Sequence, residues 1–116
     1  MPTHDIYNYR KVNDQLITGG QPKEEQLKSA AEEGFKTVIN LAPISSKSAL
    51  TDEASLVKSL GLNYHYIPVD WENPLESDFE SFEKIFNQVS AQKTLLHCAA
   101  NFRVTAFYSL YALKNL

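Results

Sequence analysis

The chain has 116 residues, the size of one domain, and its 43% hydrophobic and 22% charged residues are an ordinary balance for a soluble globular protein. A net charge of −3 leaves no basic excess to neutralise nucleic-acid phosphates or an anionic membrane, so neither partner is expected. One cysteine excludes an internal disulfide framework and suits a reducing compartment, and no apolar run approaches the roughly 18 residues of a membrane span.

Met1 to Arg10 is polar and aromatic and lacks the apolar centre of a signal peptide, so the expected location is cytoplasmic, with a leader removed upstream left open. Gln15 to Thr18 reads as a short strand entering a turn at Gly19-Gly20. Pro22 suits the first turn of a helix whose Leu27, Ala30 and Ala31 share one face, and Gly34 stops it. Lys36 to Leu41, rich in β-branched and apolar residues, reads as a buried strand ended by Pro43. The Ser45–Ser48 region is the most loop-like stretch inside the domain.

A second helix is expected from about Thr51 to Leu60. Asp52 and Glu53 complement its dipole, and Ala54, Val57 and Leu60 form its buried stripe. Leu62 to Val69 is the next strand, placed at an edge or ended by Pro68. After a loop at Asp70–Pro74, Ser77 with Glu80 forms a capping box that starts a third helix near Asp78. Its Phe79, Phe82, Phe86 and Val89 repeat at helical steps and read as core. Lys93 to His97 is a strand running into Cys98, and Val104, Phe107, Tyr108 and Tyr111 mark a last helix. Strand and helix alternate throughout, which predicts an α/β fold, a parallel or mostly parallel sheet of four to five strands flanked by helices. Ligands of such sheets bind beyond the carboxyl ends of the strands, where Cys98 falls.

The segment from His97 to Thr105 is the candidate active site. A loop between a strand end and a helix start aims backbone N–H groups and the helix dipole at one spot, which suits an anion and stabilises a thiolate. Ala99 and Ala100 are small enough for a tight curl, and Arg103 offers a planar fork to two phosphate oxygens. Phosphoryl transfer to sulfur also needs a general acid. Asp70, just past the preceding strand, is the leading candidate, with Glu72 and Asp78 in reserve. The plain alternative is that a lone Cys after an apolar strand is a small core residue. Adjacent His97 and Cys98 point to opposite sides, so a shared metal is not expected.

Two stretches carry a resemblance. YHYIPVDWENPLESDFESFEKIFNQVSAQKTLLHCAANFRVTAF resembles the dual-specificity and tyrosine phosphatase superfamily, and LITGGQPKEEQLKSAAEEGFKTVINLAP is similar to the phosphatase-like DUF442 family. The resemblance covers roughly Gln15 to Leu113 and implies a single tyrosine-phosphatase-like domain over residues 1–116 that needs no cofactor and no metal. It implies that Cys98 is the nucleophile, Arg103 the phosphate-binding arginine and Asp70 the general acid, 28 positions before Cys98. It further implies that His97 tunes Cys98 and that Ala99, Ala100, Asn101, Phe102 and Thr105 line the substrate side.

The sequence departs from the tyrosine-phosphatase pattern, which places one more residue between Cys and Arg than the four found here. Asn101 stands where that pattern has a central Gly, a position Asn tolerates in left-handed backbone. Val104 follows the Arg in place of a hydroxyl residue, though Thr105 keeps the seven-residue offset from Cys98. The expected activity is cysteine-dependent hydrolysis of a phosphate monoester through a thiophosphate intermediate, on phosphotyrosine, another phosphoprotein or a small molecule. The alternatives are a rhodanese-like sulfurtransferase carrying a Cys98 persulfide and a non-catalytic phosphate-binding module. Asn8, Tyr9, Arg10 and Lys11, with the Ser45–Ser48 loop, are expected at the rim.

Overall fold

The strand segments of this chain carry apolar residues at consecutive positions, so both faces of the sheet must be covered. The computed structural model describes residues 1–43, 45–46, 49–89 and 91–115. Strands β1 (Arg10–Asn13), β2 (Leu16–Gly19), β3 (Thr37–Asn40), β4 (Asn63–Tyr66) and β5 (Thr94–His97) form one sheet in the order β1-β2-β5-β3-β4. Pairing is parallel throughout except for β1, which runs antiparallel to β2. Helices α1 (Glu24–Glu32), α2 (Glu53–Ser59), α3 (Glu76–Val89) and α4 (Phe102–Lys114) flank it. No helix among the described residues is long and apolar enough to cross a membrane.

The expected α/β architecture is therefore observed, with five strands. The fifth, β1, was not foreseen. Its sequence, RKVN, is exposed apart from the half-buried Val12, and the strand exists through pairing with β2, with a bulge between Lys11 and Asn13. Gly19 ends β2 instead of opening a turn. Gly34 and Gly61 do follow α1 and α2 in left-handed backbone, at φ of 91° and 80°.

The start of α3 also differs from expectation. The Ser77–Glu80 pair does not cap it; Asp78, in the third helical position, accepts from the Leu75 N–H at 2.9 Å. Beyond β4 the chain stays hooked to the end of β3. Ile67 N–H donates to Asn40 O at 2.9 Å and Val69 N–H to Leu41 O at 3.0 Å, with Pro68 between them donating nothing. That hook carries Asp70 to the carboxyl edge of the sheet.

Strand parity divides the core. Ile17, Val38 and Leu95 face α1 and α2, packing with Leu27, Ala30 and Val57. Leu16, Ile39 and Leu96 face α3 and α4, packing with Phe82, Phe86, Val104 and Phe107. Phe82 is fully buried, worth about 2–3 kcal/mol of apolar transfer, and its ring stacks on Phe86 at 5.3 Å. Pairing puts Gly19, His97, Asn40 and Tyr66 in one row across the parallel strands. The chain leaves all four strands at this level, and the candidate site is built there.

Candidate active site

Parity sends His97 toward the α1/α2 face and Cys98 toward the α3/α4 face. Cys98 lies between β5 and α4, as expected, and its N–H donates to Gly19 O at 3.3 Å. Its side chain is fully enclosed among the apolar residues of the α3/α4 core and lines none of the described clefts. An open thiolate at the mouth of the sheet was expected; here the sulfur is enclosed in the apolar core.

That loop is sewn to the front of the chain. Ala99 O accepts from Gln21 N–H at 2.9 Å, and Ala100 O accepts from the Asn8 carboxamide at 3.0 Å. Asn101 adopts the left-handed conformation foreseen for it, at φ 71°. It caps no helical N–H; its Nδ2 donates instead to Asn8 O at 2.9 Å and Thr18 Oγ1 at 3.2 Å. Its Oδ1 is buried with no partner among the described residues. The approach depends on Gly20, where a Cβ would meet Ala99 O at 2.6 Å.

The first turn of α4 leaves the N–H groups of Phe102, Arg103 and Val104 without intrahelical acceptors. Phe102 is exposed. Thr105 Oγ1, the hydroxyl at the family offset, donates to Asn101 O at 2.6 Å and so ties the first turn to the loop.

Arg103 Nε donates to Val69 O at 2.8 Å. Its guanidinium lines an open cleft of about 620 Å³ together with Asp70, Trp71, Glu72, Pro43, Ser45 and Ser46. The structure thus brings Arg103 and Asp70 together at the carboxyl edge of the sheet. One oxygen of Asp70 accepts from Glu72 N–H at 3.0 Å, so the residue starts a turn and faces the cleft as well. Of the reserve acids, Glu72 shares the cleft, whereas Asp78 is committed to capping α3. The expected rim is split. Ser45 and Ser46 line this cleft, while Lys47 and Ser48 lie outside the described residues. Asn8, Tyr9 and Arg10 line a separate hollow of about 300 Å³ with Ala100, Asn101, Phe102 and Thr105. Lys11 pairs with Asp14 at 3.2 Å and belongs to neither.

Behind the loop lies a polar cluster that sequence reasoning missed. Buried His97 places Nε2 2.7 Å from Glu53 Oε2 and Nδ1 3.2 Å from Cys98 O. Glu53 Oε1 accepts from Gln21 Nε2 at 2.7 Å, and the Tyr64 hydroxyl bonds both Glu53 and Asn40. Burial alone would raise the Glu53 carboxyl; the charge of His97 and the bonds from His97, Gln21 and Tyr64 outweigh it and hold the group below the ordinary carboxylate range. Burial, then the Glu53 charge, pushes the Tyr64 phenol up, so it stays neutral. A signal was present in the sequence. Glu53 precedes Val57 by four residues and so shares the inward stripe of α2, the helix that covers the His97 side of the sheet.

Comparison with known proteins places these observations. No family model matches the chain. Curated relatives include beta-lactamase hydrolase-like proteins of Xylella fastidiosa (strain Temecula1), 26% identical over 102 residues, and of Agrobacterium fabrum, 27% identical over 103 residues. Those matches cover 85% and 86% of this chain, which spans only about a quarter of either relative, 23% and 24% of their lengths. Among solved structures, TpbA of P. aeruginosa, in complex with pTyr, superposes at a TM-score of 0.71 with 14% identity, over 90% of this chain and 61% of its own. The catalytic domain of a PP-IP phosphatase from S. cerevisiae superposes at 0.66 with 17% identity, over 82% and 57%. These two share the tyrosine-phosphatase-like fold with this chain. A DUF442 protein of Shewanella putrefaciens CN-32 superposes at 0.90 with 43% identity, covering 95% of this chain and 70% of that one. At that identity over most of both molecules, the chain belongs to the DUF442 family, on a tyrosine-phosphatase-like fold.

Proposed function

We propose that the protein is a phosphatase acting on a phosphate monoester, with Cys98 as nucleophile, Arg103 as phosphate clamp and Asp70 as general acid. The observation that carries this reading is the cleft in which Arg103 and Asp70 face the same space, at the end of the short loop that joins Cys98 to α4. Family membership and the phosphatase names of its fold relatives support it. The Cys98 sulfur attacks phosphorus, an S–P bond forms, and the P–O bond to the leaving alcohol breaks as Asp70 donates its proton to that oxygen. Water then attacks phosphorus, the Asp70 carboxylate takes its proton, and the S–P bond breaks to return thiolate and release phosphate. The first-turn N–H groups of α4, which have no intrahelical acceptors, are the donors this reading assigns to the phosphoryl oxygens.

On this reading the sulfur is reached by a movement of the 99–102 segment, which Asn8 and Gln21 hold through Ala100 O and Ala99 O. Full burial of Cys98 also favours a second reading, a phosphate-binding module without turnover. Hydrolysis of an aryl phosphate separates the two. A phosphatase loses turnover to background in Cys98→Ser and drops about 10²–10⁴-fold in kcat in Asp70→Asn. Wild-type rates persisting in Cys98→Ser exclude Cys98 as nucleophile; phosphate binding by calorimetry with no turnover supports the module.

A further inference from the structure

We propose that Glu53 is a positioning residue that holds the His97 ring doubly protonated behind Cys98. The inference rests on the phosphatase reading and adds a residue to its machinery.

The geometry carries it. Both nitrogens of His97 face acceptors, a carboxylate oxygen at 2.7 Å and a peptide carbonyl at 3.2 Å. A neutral imidazole can donate to only one of them. The ring is fully buried and Glu53 is 7% exposed. Among the described residues, the side chains that hydrogen-bond Glu53 are donors: His97, the Gln21 amide and the Tyr64 hydroxyl. A carboxylate with three donors stays ionised, and an ionised carboxylate in the core demands a counter-charge. The depressed carboxyl described above agrees with this.

No other charge answers that demand among the described residues. The flanking strands present Gly19 and Asn40 beside His97, β4 presents the phenols of Tyr64 and Tyr66, and α2 presents Glu53 itself. Cys98 is next in the chain. The His97 cation is thus directed through Nδ1–H at the carbonyl of the nucleophile's own residue, where positive charge favours the thiolate. Glu53 opens onto a hollow of about 190 Å³ lined by Asn40, Leu50, Tyr64 and Tyr66, not onto the Asp70–Arg103 cleft. Its effect therefore runs through His97 and not through substrate contact.

The test uses ¹⁵N-histidine NMR on the wild type, which needs no variant to fold, together with Glu53→Gln and Glu53→Asp. Both His97 nitrogens are expected to show protonated shifts in the wild type and in Glu53→Asp, each donating to the acceptor it faces. In Glu53→Gln one nitrogen is expected to lose its proton. With an aryl phosphate, Glu53→Gln is expected to lose about tenfold in kcat near neutral pH with KM within about twofold, and to recover as pH falls through the imidazole range. An active wild type with singly protonated His97 overturns this inference and spares the phosphatase reading. A kcat loss in Glu53→Gln that is equal at all pH values also overturns it. An inactive wild type with doubly protonated His97 overturns the phosphatase reading instead.

Discussion

Arg103 Nε lies 2.8 Å from the carbonyl oxygen of Val69, the residue before Asp70. The bond joins the start of α4 to the segment that carries the proposed acid, so clamp and acid are set by one contact. It also leaves the two terminal guanidinium nitrogens free of that duty, and these can form a parallel pair of bonds to phosphate. Lysine cannot replace this arrangement, because a point charge on a flexible stem cannot serve Val69 and a phosphate in fixed geometry. Arg103→Lys is expected to lower kcat/KM for an aryl phosphate by about 10²–10³-fold while the protein stays folded by circular dichroism. Retention of more than a tenth of the activity would show that Arg103 does not bind the reacting phosphate.

The proposed route to Cys98 runs through the loop that follows it, held by Asn8 and Gln21. Asn8 is itself in left-handed backbone at φ 54°, so Asn8→Gly keeps the fold there while removing the bond to Ala100 O. One net hydrogen bond is worth about 1 kcal/mol, which corresponds to roughly a fivefold larger open population. Alkylation of Cys98 by iodoacetamide is expected to accelerate by about that factor. An unchanged rate would mean that the 99–102 segment does not gate the sulfur.

The buried pair makes stability depend on acid pH. The Glu53 carboxyl is lower in the folded chain than its ordinary 4.5, so its contribution is fully present above about that pH and is lost as pH falls through the folded value. Urea midpoints measured from neutral pH downward are expected to fall across that window more steeply in the wild type than in Glu53→Gln. Glu53→Ala, which strands buried His97, is expected to cost about 3–5 kcal/mol at neutral pH. Parallel profiles for wild type and Glu53→Gln would remove Glu53 from the acid-sensitive set.

Much of this was legible from residue order. Strand–helix alternation specified the parallel sheet, and the Phe82–Phe86 stripe specified the face of α3, because burial imposes its period on the sequence. Asn101 in left-handed backbone followed from its chemistry. What escaped was set by tertiary contact. β1 exists only through pairing with β2, Gly20 is small because Ala99 O and Tyr7 crowd it, and Asp78 outcompeted Ser77 and Glu80 by local geometry. Glu53 looked like a dipole-facing acid at a helix start, and only strand parity across the sheet reveals that it meets His97. The enclosure of Cys98 could not be read from spacing, since it is set by core residues from distant segments, Leu16, Ile39 and Phe82 among them.

The central claim is that Cys98 takes the phosphoryl group from substrate. Asp70→Asn slows both formation and hydrolysis of the intermediate, and an aryl leaving group relieves the first, so phosphoenzyme should accumulate. Mass spectrometry of this variant, acid-quenched during aryl phosphate turnover, is expected to find one phosphoryl group on the Cys98 peptide, absent in Cys98→Ser. An unmodified Cys98 during measurable turnover, or a Cys98 that gains only a sulfur atom from thiosulfate, would contradict the account.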